Sequence, residues 1–239
     1  MTPQGFLFVD KPIGPTSHDV VAHVRRVLSV GSGKVKVGHA GTLDPLASGL
    51  LILGIGSATK ALGLLVGLPK RYQCSIRLGA TTITDDSEAL PEPTEGAHAP
   101  GKHEIDQVLQ HFIGKQEQRP PVFSAKKQQG TPLYKLARAG KNVEPKNHWI
   151  SITELSCVNF AYPKLDIDVA CSSGTYIRSL ARDIGESLKT GGYVQKLRRT
   201  VIGPFEVTAS VPYEQLTFET IMKNLITPEN VLIIANKAK

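Results

Sequence analysis

Cysteine is scarce in this 239-residue chain: Cys74, Cys157 and Cys171 lie far apart, with no CxxC pair. An odd, scattered set excludes a disulfide framework or a zinc knuckle and fits a reducing compartment. Long apolar runs are also lacking. The most apolar stretch, Gly49 to Pro69, is broken by Ser57, Thr59 and Lys60, so it is not expected to span a membrane. The opening MTPQGFLFVDK carries no basic leader and its apolar run stops at Asp10, so no signal peptide is expected. The Walker pattern GxxxxGK(S/T), HExxH, GxSxG and the zinc signature of cytidine deaminases are all missing. Acidic charge is in deficit as well: 28 lysines and arginines against 21 aspartates and glutamates leave a net charge of +7. That excess favours an anionic partner such as nucleic acid. Hydrophobic residues at 41% and charged residues at 21% are ordinary for a folded chain and exclude wholesale disorder.

Gly5 to Val9 reads as a short strand stopped by the Lys11-Pro12-Ile13-Gly14-Pro15 turn. Ser17 is placed to cap a helix with the apolar stripe Val20, Val21, Val24, Val27 and Leu28. Residues 31–42, rich in glycine and basic side chains, read as a loop, Leu50 to Leu53 as a buried strand and Ser57 to Leu68 as a helix. Tyr72, Cys74, Ile76 and Leu78 alternate with polar residues, the period of a half-buried strand. Residues 85–102 look like a surface connection, followed by a helix through Ile105, Val108, Leu109 and Phe112 that stops at Gly114. Strand patterns return at Trp149 and at Leu165 to Cys171. A helix then carries Tyr176, Ile177, Leu180, Ile184 and Leu188, a strand runs from Tyr193 to Val207, and Ser210-Val211-Pro212 opens a last helical region. Neighbouring strands without a helix between them favour an α+β fold over a strictly alternating parallel sheet.

The densest cluster of chemically capable residues is Gly38-His39-Ala40-Gly41-Thr42-Leu43-Asp44-Pro45. Asp44-Pro45 alone suits a plain helix start, aspartate as cap and proline in the first position. The preceding glycines, His39 and the cations Lys34 and Lys36 suit a backbone that approaches a phosphate-bearing ligand. Tyr72, beside Lys70 and Arg71, reads either as a packed tyrosine or as a platform for a base. Arg178 is either solvated or turned into a cleft to hold a carboxylate ionised. His39 has no histidine or cysteine at ligand spacing, so no metal site is expected. Between 118 and 148, Arg119, Lys126, Lys127, Lys135, Arg138, Lys141 and Lys146 face only Glu144 and are interleaved with Phe123 and Tyr134, a pattern that favours RNA contact.

Five blocks occur in order: GHAGTLDPLASGLL, KRYQCSIRLGATTITDD, PPVFSAKKQQGTPLYKLARAG, CSSGTYIRSLARDIGE and LRRTVIGPF. Together they resemble the TruB family of tRNA pseudouridine synthases, over about Gly5 to Pro212. The resemblance implies an α+β pseudouridine synthase fold around a mixed, mainly antiparallel sheet. It also implies conversion of a uridine in the tRNA T loop, position 55, to pseudouridine. Asp44 matches the essential aspartate of the family. Tyr72 is expected to stack on the target uracil, Tyr176 and Arg178 to line the same pocket, and Arg178 to pair with Asp44. Leu197 matches a substrate-contacting leucine, and His39 a histidine that fills the space left by the departing base. The stretch 118–148 matches a basic segment that clamps RNA, with Lys126, Lys127 and Arg138 on its backbone. Residues 1–212 are expected to form the catalytic domain and 213–239 a short helical tail rather than a complete PUA-type domain. The chemistry asks for no metal, redox cofactor or ATP. The implied partner is tRNA through its T stem-loop, without guide RNA or membrane. A cytoplasmic monomer is expected, with an added role as a tRNA-folding chaperone left open. Whether the aspartate attacks C1′ or takes the C2′ proton is also left open, as is a relay of the C5 proton by Tyr72.

Overall fold

Apolar alternation and turn chemistry build the elements, and their contacts sort them into two units: residues 1–72 with 197–239, and residues 73–196. The computed structural model describes residues 3–30, 33–124, 127–128, 131–133, 136, 143 and 145–237. In chain order the elements that matter are β1 (Gly5–Lys11), α1 (Ser17–Ser29), β2 (Val37–His39), β3 (Ala47–Ile55), α2 (Leu62–Val66), β4 (Lys70–Leu78) and α3 (Lys102–His111). Then come β5 (Gly114–Gln118), β6 (His148–Ala161), β7 (Lys164–Cys171), α4 (Ile177–Ser187), β8 (Gly192–Ile202), β9 (Val211–Pro212), α5 (Phe218–Lys223) and α6 (Pro228–Lys237). The chain passes from the first unit to the second within β4 and returns within β8.

In the first unit β3 is the central strand. It runs antiparallel to β1, from Gly5 opposite Ile55 to Lys11 opposite Gly49, and antiparallel to β2. The end of β8 joins it in parallel, Leu197 opposite Ala47 and Arg199 opposite Gly49. Short β9 lies parallel to β1. Buried on both faces, β3 is an almost unbroken apolar run, as a central strand must be. Phe6, Phe8, Leu50, Ile52, Leu65, Ile202 and Phe205 share one core with Val231 and Ala235 of α6. In the second unit, β6 pairs antiparallel with both β7 and β5, and α3 packs against β6. The expected α+β class with a mixed, mainly antiparallel sheet is observed.

Several local expectations give way to tertiary pairing. Thr16, not Ser17, caps α1: its hydroxyl accepts the Asp19 N–H while the Asp19 carboxylate accepts the Thr16 N–H, a reciprocal box. The loop after residue 31 contains β2, because Val37–His39 finds an edge of β3 to pair with. No helix begins at Asp44-Pro45. The Ala47 N–H closes a turn onto the Asp44 carbonyl at 3.0 Å, with proline at its second position, and β3 starts there because β1 and β8 are available as partners. Residues 57–68 form a 3₁₀ turn, Gly56–Ala61, leading into the short α2. The strand expected through Val207 breaks at Gly203-Pro204 and folds back as Phe205–Glu206, and Val211-Pro212 is strand rather than helix start. Among the described residues no helix is long and apolar enough to cross a membrane.

Candidate active site

In the first unit, Asp44 stands in the turn between β2 and β3, and the backbone around it is pinned from three sides. Ser17, buried at the start of α1, accepts the Leu43 N–H at 2.7 Å and donates its hydroxyl to the Leu43 carbonyl at 3.0 Å. The Pro45 carbonyl accepts the Gly14 N–H at 2.9 Å, tying the KPIGP turn to the same place. Arg199, 1% exposed, donates Nε to the Leu50 carbonyl at 2.8 Å and its terminal nitrogens to the Thr42 and Gly41 carbonyls at 3.3 and 3.2 Å. β8 can deliver that guanidinium because Gly49 admits it. Gly49 has φ of 103°, and a Cβ there would lie 2.2 Å from the Arg199 carbonyl oxygen.

Two further basic side chains sit in this neighbourhood, Lys11 and His39. Lys11, with no exposed surface, donates Nζ to the Pro12 and Pro15 carbonyls at 2.8 Å each. Burial pulls its pKa down to about 8, the Asp44 carboxylate opposes that fall and the Arg199 charge adds to it. His39 ends β2. Burial first, then the Arg199 and His18 charges, lowers its pKa, which leaves the ring neutral at neutral pH. Leu197 is buried opposite Ala47, its carbonyl 3.4 Å from the Ser48 hydroxyl, and Tyr72 is buried in β4.

In the second unit, Tyr176 is the N-cap of α4 and Arg178 stands in its first turn. The buried Gln118 side chain fixes the entry, accepting the Tyr176 N–H at 2.8 Å and donating to its carbonyl at 3.0 Å. The His148 ring meets the Tyr176 ring edge-on at 5.9 Å. Arg178 donates to the Thr84 carbonyl at 3.1 Å and the Phe123 carbonyl at 2.9 Å, and pairs with Asp86 at 3.2 Å. Asp86 in turn accepts the Thr84 hydroxyl at 2.6 Å and the Glu88 N–H at 3.0 Å. The beginning of the expected surface connection is therefore buried structure: Asp86 is 1% exposed.

The structure thus gathers Asp44, His39, Leu197 and Tyr72 in one unit and Tyr176 and Arg178 in the other. Lys126 and Arg138 lie outside the described residues. Lys127 belongs to a two-residue strand paired with Thr131–Pro132, and its side chain lies outside the description. Sequence reading missed Lys11, Ser17, Arg199, Gln118 and Asp86. A signal existed for two of them. Lys11 keeps the parity of Leu7 and Val9 in β1, and Arg199 that of Leu197 in β8, so each cation occupies a position where alternation calls for an apolar residue. Among the described residues no group of three or more metal-ligating side chains gathers.

Residues 25–177 match the TruB family pseudouridylate synthase N-terminal domain, and residues 178–231 the tRNA pseudouridylate synthase B C-terminal domain. The tRNA pseudouridine synthase B of Thermobifida fusca (strain YX) is 44% identical over 232 residues, spanning 91% of this chain and 76% of that protein. Its counterpart in Xanthomonas campestris pv. campestris (strain B100) is 42% identical over 213 residues, 89% of this chain and 68% of that one. A chain in the crystal structure of a Cbf5-Nop10-Gar1 complex superposes with a TM-score of 0.74 at 27% identity, covering 96% of this chain and 62% of its own length. An H/ACA RNP bound to a substrate RNA containing 2′-deoxyuridine gives 0.71 at 25%, covering 97% and 61%. This chain spans about three fifths of those two solved chains.

Proposed function

This chain belongs to the TruB family of pseudouridine synthases, and on that footing we propose that Asp44 carries its isomerisation of a tRNA uridine to pseudouridine. The reaction breaks the N1–C1′ glycosidic bond, turns the uracil and joins C5 to C1′; the C5 proton is released and N1 ends protonated, so atoms balance. Either role for the carboxylate, attack on C1′ or removal of the C2′ proton, requires it ionised and held still. The observation that supports Asp44 is its setting. Ser17, Gly14 and Arg199 fix the turn around it, and the buried Lys11 lies near enough for the Asp44 and Arg199 charges both to act on it.

The finer reading follows the resemblance. The substrate is the T-loop uridine, taken out of its stack at a cost of a few kcal/mol. Tyr72 stacks on the uracil, Tyr176 and Leu197 bound it, and neutral His39 fills the vacated space without adding charge. Arg178 is oriented by Asp86 and two carbonyls, and the resemblance assigns to it the Asp44 carboxylate as partner. Lys126, Lys127 and Arg138 neutralise RNA phosphates. The enzyme works as a cytoplasmic monomer without guide RNA. In support, its likeness to the two named tRNA pseudouridine synthases, at 42–44% identity, exceeds its 27% likeness to the Cbf5 chain.

The test is incubation of the purified protein with an unmodified tRNA transcript and no other RNA, followed by mapping of pseudouridine to the nucleotide. We expect one site in the T loop, and Asp44→Asn to bind tRNA with unchanged affinity while forming none. Normal turnover by that variant refutes the role of Asp44. Dependence on an added RNA refutes the stand-alone reading.

A further inference from the structure

We infer that Arg182 is a positioning residue, which locks the start of the 118–148 segment to the loop that holds Arg178; this rests on the function proposed above. Arg178 and Arg182 are one turn apart on α4 and so share a face. They repeat the same pattern of attachment. Arg178 reaches Thr84 and Asp86 on one side and the Phe123 carbonyl on the other. Arg182 reaches the Asp85 carboxylate at 2.9 Å on one side and the Arg119 carbonyl at 3.2 Å on the other. Between the two arginines, the Ser179 hydroxyl donates to the same Arg119 carbonyl at 2.8 Å.

Two segments more than thirty residues apart in sequence, 84–86 and 119–123, are thereby bridged twice through one helix face. The lower bridge is well oriented. Nε and one terminal nitrogen of Arg182 both meet Asp183 Oδ1, at 2.9 and 2.8 Å, leaving the other terminal nitrogen aimed at Asp85. Arg182 and Asp85 are each mostly buried, at 12% and 14% side-chain exposure, so the pair is poorly screened. Asp85 also holds a left-handed backbone, φ 59°, which non-glycine residues keep only when their surroundings enforce it. Its own carbonyl accepts the Val194 N–H at 3.0 Å and its N–H reaches the Thr82 carbonyl, so the loop is fixed at every backbone group of this residue.

The consequence is that Arg182 sets where Arg178 points without touching RNA itself. If the lower bridge opens, residues 119–123 and 84–86 move independently, and Arg178 loses the common frame of its two carbonyl acceptors.

The experiment compares wild type with Arg182→Ala, Arg182→Lys and Asp85→Asn, using single-turnover pseudouridine formation on tRNA transcript at saturating enzyme, tRNA affinity, and hydrogen exchange of the amides that 119–124 carries, those of Arg119, Val122, Phe123 and Ser124, since Pro120 and Pro121 have none. We expect Arg182→Ala to lower the rate constant at least tenfold and to speed exchange at 119–124, with tRNA affinity within threefold of wild type. Asp85→Asn should give a similar loss, and the double variant no more than either alone. Arg182→Lys, which keeps a charge for Asp85 but has no second arm for Arg119, should recover part of the rate. A wild-type rate constant in Arg182→Ala overturns the inference, and so does unchanged exchange at 119–124. A wild-type protein that makes no pseudouridine defeats the proposed function instead, and the exchange measurement then still decides the coupling.

Discussion

Asp86→Asn isolates the anchor of Arg178 with almost no change of shape. In the native protein the pair is 3.2 Å apart with side chains 7% and 2% exposed. Removing one partner of a buried ion pair costs about 3–5 kcal/mol, because the other charge stays desolvated. The lower end applies here. Arg178 keeps its bonds to the Thr84 and Phe123 carbonyls, and asparagine Oδ1 can still accept the Thr84 hydroxyl and the Glu88 N–H. What is lost is the attraction at Oδ2, where an amide NH₂ would confront the guanidinium donor to donor. The expected destabilisation is about 3 kcal/mol. Asp86→Ala removes the two loop bonds as well, each worth about 1 kcal/mol or more, so it should cost about 5 kcal/mol. Urea unfolding measures both as a lower midpoint at unchanged slope. Single-turnover assays on the folded variants should show the rate constant falling in both, since Arg178 loses its orientation. An asparagine variant within 0.5 kcal/mol of wild type, with its rate intact, would show that Asp86 does not anchor Arg178, and an alanine variant no worse than asparagine would remove its role in the loop.

Gly49→Ala should be poorly folded, because left-handed φ costs a side chain about 1–2 kcal/mol and parting β3 from β8 about as much again; a thermal midpoint equal to wild type would contradict the close approach. Lys11 holds its proton to about pH 8 in the fold and to about 10.5 when exposed. Between those values the unfolded chain binds more protons, so stability should rise with pH there, by about 1.4 kcal/mol per pH unit. Lys11→Met should lack that rise in denaturant titrations at pH 8 and pH 9.5, and parallel pH dependences would refute the depressed lysine. Neutralising Lys126 and Lys127 together should reduce the magnitude of the log–log salt slope of tRNA binding by about 1.4–1.8 if each meets a phosphate; an unchanged slope assigns them no phosphate.

Much of the molecule was legible because strands and helices announce themselves by period. Gly5 to Val9, Tyr72 to Leu78, Leu165 to Cys171 and the α4 face through Ile177, Leu180 and Ile184 were all placed near their observed bounds. The errors cluster where a local choice was close and a distant partner broke the tie. Asp44-Pro45 suits a helix start or a turn about equally, and only β1 and β8 lying ready to pair with Ala47 onward decide for the turn. Val211-Pro212 lacks the length to look like a strand until β1 offers its edge.

By itself the order of residues determined the family, the α+β class and the chemical candidates, Asp44 foremost, since five motif blocks and their spacing are properties of the chain alone. What the folded structure decided is how those candidates are held. Arg199 reaches carbonyls about 150 residues away, Ser17 brackets Leu43, and Asp86 rather than solvent takes Arg178. Buried charges need partners, and a side chain finds its partner through space, where no periodicity of sequence can point.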